Sequence, residues 1–392
     1  MRKLVVASAI LATLLTAPLA QAAATPTQSP APAPTTVQTD SQRATAALSY
    51  LLAAQKANGS VDSSIGETAD FVMGAAAAGF DPATLRGCSG TTTSALDYIA
   101  TASDAAATDA AKTGKAALAV VAAGGDPTAF QGRDLIARLA ALYDSPTGSY
   151  GDGSTFGESF AILALRAGGR DVPAAALTEL KALQDPDGSW SYGKVPVAAG
   201  QGDANSTSIA LMALDAAGDH SLDASGLAYL RSQQLADGGF PYQNSDAFGP
   251  PASDADSDSI VLQALVTAGQ DTEGASWLQG SNSVLTQLRS DQAAGGGFAY
   301  PGMAPSAFTT SQVPAALMRV AYATAVHPVA GAAVPTTACQ AAAATPAATS
   351  TAPAPVPGPA SPGPLAYLLI AAAALVGLGA AGRAALARSW RH

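Results

Sequence analysis

The chain repeats itself. Leu51 is followed by Gln55, Gly59 and Val61; Leu180 by Gln184, Gly188 and Trp190; Leu230 by Gln234, Gly238 and Phe240; Leu288 by Gln292, Gly296 and Phe298. In each copy the order is Leu-x3-Gln-x3-Gly-x, then an aromatic or apolar residue. Leu139, Tyr143, Gly148 and Tyr150 form a variant with Tyr at the Gln position and one extra residue. A period of about 40 to 50 residues restricts the fold to stacked units that bury their apolar faces on one another. The spacing has a physical reading. Leu and Gln four residues apart share a helix face, and the Gly supplies the positive φ that ends the helix. The aromatic then folds back over that end, and the Gln amide is placed to bond orphan backbone groups. Gln55, Gln184, Trp190, Gln234, Phe240, Gln292 and Phe298 are therefore expected to be structural repeat residues.

The other half of each unit is a helix ending in Ala-Gly or Ala-Gly-Gly. The clearest copies run from Thr207 to Gly218 and from Asp258 to Gly269. Phe160 to Gly168, Ala116 to Gly124 and Val72 to Gly79 match them, and an imperfect copy runs from Thr309 to Ala325. About six helical hairpins of constant period predict an all-α fold, an α6/α6 toroid closed into a barrel over residues 41–340.

The ends carry different signals. Arg2 and Lys3 precede the apolar run from Leu4 to Leu15 and the small residues Ala20-Gln21-Ala22, as in a secretory signal peptide over residues 1–24. Residues 25–40 are an Ala/Pro/Thr-rich linker, and residues 341–364 a Pro/Ala-rich stalk too poor in large apolar groups to fold. Residues 365–382 form an uncharged stretch of about eighteen residues, near the lower limit for a transmembrane helix. Arg383, Arg388 and Arg391 follow it in a basic tail, residues 383–392, which places that tail in the cytoplasm and the body at the cell surface. The net charge of −10 argues against nucleic acid, whose phosphates require a basic surface. Two cysteines in an exported chain, Cys88 and Cys339, predict one disulfide.

Gln184, Gly188 and Trp190 resemble the QW motif of squalene–hopene-type cyclases, and the other copies resemble weakened versions of it. The resemblance spans nearly the whole body and points to the terpenoid cyclase and protein prenyltransferase toroid superfamily, which includes prenyltransferase/squalene oxidase repeat proteins. It implies about six inner and six outer helices; it does not by itself imply a reaction. The family's cyclases use the middle Asp of a DxDD motif at the start of an inner helix to protonate an alkene. Here Asp254-Ala-Asp256-Ser257-Asp258 stands at that place, with Asp256 at the acid's position, Asp254 at the first and Ser257 replacing the last. The preceding repeat has Asp203-Ala-Asn205-Ser at the same place, so the same residues also read as ordinary helix caps. Aromatic residues make up only 6% of the chain, few for a carbocation site. The zinc ligands of the prenyltransferases are not matched: His220, His327 and His392 are scattered and Cys88 has no neighbouring His. No metal or cofactor is expected.

The leading expectation is a surface-anchored, non-catalytic toroid that binds an amphipathic small molecule such as a corrinoid or isoprenoid. Cobalamin carriers of the intrinsic factor type are its nearest functional analogue. Its candidate partners are the membrane, a transporter, or a second binding domain that completes the site. The alternatives are a cyclase- or transferase-like enzyme with Asp256 as acid, and an adhesive or scaffolding protein with a filled centre. The ligand is expected at the mouth where the inner helices begin, against Glu158, Asp203, Asp254, Asp256 and Asp258. Tyr192, Tyr242 and Tyr300, each two residues past the motif aromatic, are expected to face the same mouth.

Overall fold

The computed structural model describes residues 37–88, 92–193, 201–244, 250–322 and 332–336, all within one compact unit, Met1–Cys339. The signal peptide, the stalk, the membrane span and the basic tail expected from the sequence lie outside the described residues. No helix among the described residues is long and apolar enough to cross a membrane. No described cysteine is free, and Cys339, the expected partner of Cys88, lies outside the described residues.

Helices alternate between two layers. The outer layer holds α1 (Asp40–Ala54), α3 (Ala95–Ala105), α5 (Leu135–Ala141), α7 (Ala174–Ala182), α9 (Asp223–Gln233) and α11 (Val284–Asp291). The inner layer holds α2 (Ile65–Ala77), α4 (Ala110–Ala122), α6 (Thr155–Ala167), α8 (Ala204–Ala216) and α10 (Ala255–Thr267). Its sixth member is divided into α12 (Ala307–Ser311) and α13 (Val313–Leu317). The inner helices pack in the order α2, α4, α6, α8, α10, α13 and back to α2, so the ring is closed. The only strands among the described residues are a two-residue pair, β1 (Tyr143–Asp144) and β2 (Ser149–Tyr150). They belong to the variant repeat, where the rings of Tyr143 and Tyr150 pack at 5.0 Å.

Small residues let the inner helices approach closely. A Cβ on Gly114 of α4 would lie 2.4 Å from the carbonyl oxygen of Phe160 on α6. The sixth inner helix breaks because Pro314 has no N–H to continue the ladder, and Gln312 joins its two pieces.

The repeat motif stitches each unit to the next. Gln55, Gln234 and Gln292 each form the residue capping the end of an outer helix rather than its last turn. Each motif Gln donates from Nε2 to the carbonyl of its own motif glycine: Gln55 to Gly59 at 2.7 Å, Gln184 to Gly188 at 3.0 Å, Gln234 to Gly238 at 2.8 Å, and Gln292 to Gly296 at 3.1 Å. A second bond reaches the following repeat, at Leu85 O, Ser225 Oγ, Trp277 O and, closing the ring, Arg43 O on α1. The motif glycines must be glycine twice over. Gly296 has φ +88°, and a Cβ there would lie 2.4 Å from the carbonyl oxygen of Ala46. The motif aromatic seals the same corner: Trp190 is fully buried and donates from Nε1 to the carbonyl of Leu180, the motif leucine, at 2.8 Å. Ring closure is reinforced by Asp40, which accepts from Arg289 at 2.7 and 2.9 Å and from Arg319 at 3.1 Å.

Candidate functional site

The first two turns of the inner helices share one design, and position along them decides the role of each side chain. The helices are capped by Ser64, Asp109, Ser154, Asp203, Asp254 and Ser306, each accepting a backbone N–H from the first turn. Asp203 takes Ser206 N at 2.6 Å and Asp254 takes Ser257 N at 2.8 Å. Burial raises both carboxyls, Asp203 to about 6, against the opposing pull of these bonds.

Four residues past each cap stand Thr68, Thr113, Glu158, Thr207, Asp258 and Thr310, and all are tied to the loop before their helix. Thr207 Oγ1 accepts from Trp190 N at 3.0 Å, Thr310 Oγ1 from Phe298 N at 2.9 Å, and Thr68 Oγ1 from Val61 N at 2.9 Å. Glu158 and Asp258 do the same with carboxyls, accepting Tyr150 N at 2.5 Å and Phe240 N at 2.6 Å. Both residues are fully buried, and the second oxygen of each has no partner. Desolvation pushes Glu158 up to about 8 and Asp258 well above the carboxylate range. These two residues, expected at the ligand, fasten loop to helix instead.

Two residues past the cap the side chains behave differently. Asp256 lies here on α10 and caps nothing. Its Oδ2 accepts from Asn205 Nδ2 on α8 at 3.3 Å, and its Oδ1 accepts from Gln312 Nε2. Asp256 is buried, and desolvation, then the charge of Asp254, holds its carboxyl above the usual range, while Lys115 pulls the other way. Four residues further in, Asp70 and Lys115 form an ion pair at 2.6 Å with side-chain exposures of 2% and 14%. Tyr322 completes this layer: its hydroxyl donates to Asp70 Oδ1 at 2.9 Å, and its ring meets Phe160 edge-on at 5.5 Å. Sequence reasoning missed Asp70, Lys115, Gln312 and Tyr322. Asp70, Lys115 and Gln312 share a position six residues past their caps, so the repeat alignment held the signal.

Above this floor is an aromatic rim. The large apolar side chains exposed among the described residues, apart from Val37 ahead of α1, are Tyr192, Tyr242, Met303 and Phe308, all in loops or first turns at this mouth. Tyr192 is 55% exposed, whereas Trp190, two residues earlier, is fully buried. Phe240 and Phe298 are also buried, with Tyr242 41% exposed and Tyr300 half-buried. Tyr192 packs on Phe156 at 5.2 Å and Tyr300 on Phe308 at 6.1 Å. The Tyr242 hydroxyl donates to Asp203 Oδ2 at 3.0 Å. Below the floor the lumen narrows to a cavity of about 20 Å³, room for about one water.

One other cluster stands at the far end of α8. Asp215, His220 and Asp223 bring ligand atoms within 4.8 Å of one another, but His220 Nδ1 already contacts both carboxylates, at 2.7 and 3.1 Å.

No protein-family description and no curated relative matches the chain. Solved structures do. The apo type II terpene cyclase MstE from Scytonema aligns at 15% identity with a TM-score of 0.50, covering 71% of this chain and 98% of its own. A structure of UGL with dGlcA-Glc-Rha-Glc aligns at 12% identity with a TM-score of 0.51, covering 72% and 96%. The unsaturated glucuronyl hydrolase of Bacillus sp. GL1 aligns at 11% identity with a TM-score of 0.48, covering 72% and 96%. At such identities the shared property is the fold, and it is the one anticipated from the QW-like repeats: this chain is an α/α toroid of the kind found in type II terpene cyclases.

Proposed function

We propose that the mouth of the toroid is an acid-catalytic site, with Asp256 as proton donor to an amphipathic substrate. The observation that carries this reading is the placement of Asp256. Asp203, Asp254, Glu158 and Asp258 are engaged as caps or loop fasteners, whereas Asp256 is a buried carboxyl with no such duty, at the floor of an exposed aromatic rim. Burial keeps it protonated at rest. After proton transfer, the carboxylate is met by amide N–H groups of Asn205 and Gln312 and by the positive charge of Lys115. The apolar part of the substrate would lie on Tyr192, Tyr242 and Phe308. A carboxyl held neutral by burial is a weak acid, suited to protonating an oxygen or an activated double bond rather than an isolated alkene.

A second reading keeps the mouth and removes the reaction: a surface carrier of a corrinoid or isoprenoid, membrane-anchored and completed by a partner domain or transporter. The exposed rim of Tyr192, Tyr242, Met303 and Phe308 supports it, because such a surface takes up an amphipathic ligand whether or not a reaction follows. Asp256→Asn separates the two. The experiment is native mass spectrometry of the body, purified from its own host, followed by incubation with polyprenyl lipids and with cobalamin. Catalysis predicts a product, separated from its substrate by chromatography of the released ligand because the two can be isomers of equal mass, that disappears in the variant while substrate binding persists. A ligand retained unchanged by both proteins refutes the acid role and supports the carrier.

A further inference from the structure

Five inner helices end in one kind of turn, with a glycine in the left-handed region two residues past the last helical residue: Gly79, Gly124, Gly169, Gly218 and Gly269. From each the chain continues to the next outer helix. The sixth inner helix has Arg319 at that place, with φ +56°. A side chain strains the backbone there, and Arg319 is held by Asp40 at 3.1 Å and Glu273 at 3.5 Å. From Arg319 the described chain turns into the ring. Val320, Ala321 and Tyr322 line the cavity of about 20 Å³ beneath the polar floor. Tyr322 fills the centre, its hydroxyl on Asp70 and its ring 5.7 Å from Lys115 Nζ.

The fit of this segment to the lumen is incomplete. Gln263 of α10 lines the same cavity and is fully buried, yet neither its amide nitrogen nor its amide oxygen has a partner. Each such orphan has given up its bonds to water without replacing them, a net cost to folding. At the equivalent place, nine residues past the cap, the other inner helices carry Met73, Leu118, Leu163, Met212 and Ala315. A lumen packed solely for stability would carry an apolar side chain at Gln263 too.

We infer that Val320–Tyr322 is a displaceable plug, and that its withdrawal opens the lumen to a small, mainly apolar molecule whose single hydroxyl or carbonyl pairs with Gln263. The test of the plug reads labelling rates and does not depend on activity at Asp256. Ala321→Cys places a thiol on the plug, and Ala117→Cys places a control thiol at a fully buried site of α4; Ala321 itself is 4% exposed. Under native conditions a maleimide is expected to label position 321 about a hundredfold faster than position 117, because local opening precedes global unfolding. Equal rates at the two positions would mean that the segment is ordinary core and would overturn the inference. Saturating 1-hexanol is expected to accelerate labelling at 321, and Gln263→Leu to remove the acceleration; no acceleration in the parent overturns the ligand site. Hydrogen exchange of residues 319–322 against those of α4 in the unsubstituted chain gives the same comparison should a cysteine variant not fold.

Discussion

Replacing Glu158 by glutamine isolates one buried acid whose twin positions in four other repeats are threonine. The carboxyl is fully buried, accepts Tyr150 N at 2.5 Å, and titrates at about 8 rather than 4.5 because burial penalises its charge, with Glu179 and Asp152 adding repulsion. The unfolded chain releases this proton near the ordinary value, the folded chain only near 8. Between those values the unfolded state binds fewer protons, so stability falls as pH rises, by about 1.4 kcal/mol per pH unit for this group. Over the whole window the loss is on the order of 5 kcal/mol. The stabilisation is complete below the ordinary carboxyl value and is gone once the pH passes about 8. Glutamine keeps an acceptor oxygen for Tyr150 N and has no charge to desolvate. Urea unfolding of parent and Glu158→Gln at several pH values from about 5 to about 8 measures the effect. Near pH 5 the two should agree within about 1 kcal/mol, and near pH 7.5 the variant should be more stable by roughly 4 kcal/mol. Other raised acids give both proteins a common slope, so the difference between them belongs to position 158. Parallel curves would refute the account and would mean that Glu158 is ionised and compensated in the fold.

Gln234→Ala removes two buried bonds, to Gly238 O and Trp277 O, and should cost about 2–3 kcal/mol in urea unfolding; a loss under 0.5 kcal/mol would show that the motif glutamine is not the stitch between repeats. Gly79→Ala and Gly238→Ala both force alanine to positive φ, but only at Gly238 would the new Cβ meet backbone, 2.6 Å from Asn282 C. Thermal melts should therefore show a loss of about 1 kcal/mol for the first and clearly more for the second; equal losses would count against close packing of the repeats. Replacing Tyr192, Tyr242 and Tyr300 together by alanine should abolish ligand retention in native mass spectra while shifting the melting temperature by only a few degrees. Loss of folding would make the rim structural.

The architecture was legible because it is periodic. The Leu-Gln-Gly-aromatic spacing encodes local geometry, a helix end and a positive φ, and repetition converts that geometry into a closed ring. The site was partly legible for a related reason. Asp203 and Asp254 cap their helices as the cap reading anticipated, and the outward turn of Tyr192 against the inward turn of Trp190 follows from alternation along extended backbone. What the sequence left undecided was which acid in Asp254-Ala-Asp256-Ser257-Asp258 is which. All three are acids at a helix start, and only their angular position decides that Asp254 caps, Asp258 bonds the preceding loop and Asp256 faces the ring. The partners of Asp256 come from α8 and from the broken sixth helix, residues about 50 positions away in either direction. Tyr322 and Asp70, which share the lumen, are 252 positions apart. Helix capping and turn chemistry act over a few residues and are written locally in the chain. Burial, ion pairing and the filling of the lumen depend on which surfaces meet when the ring closes, and tertiary structure alone determines them.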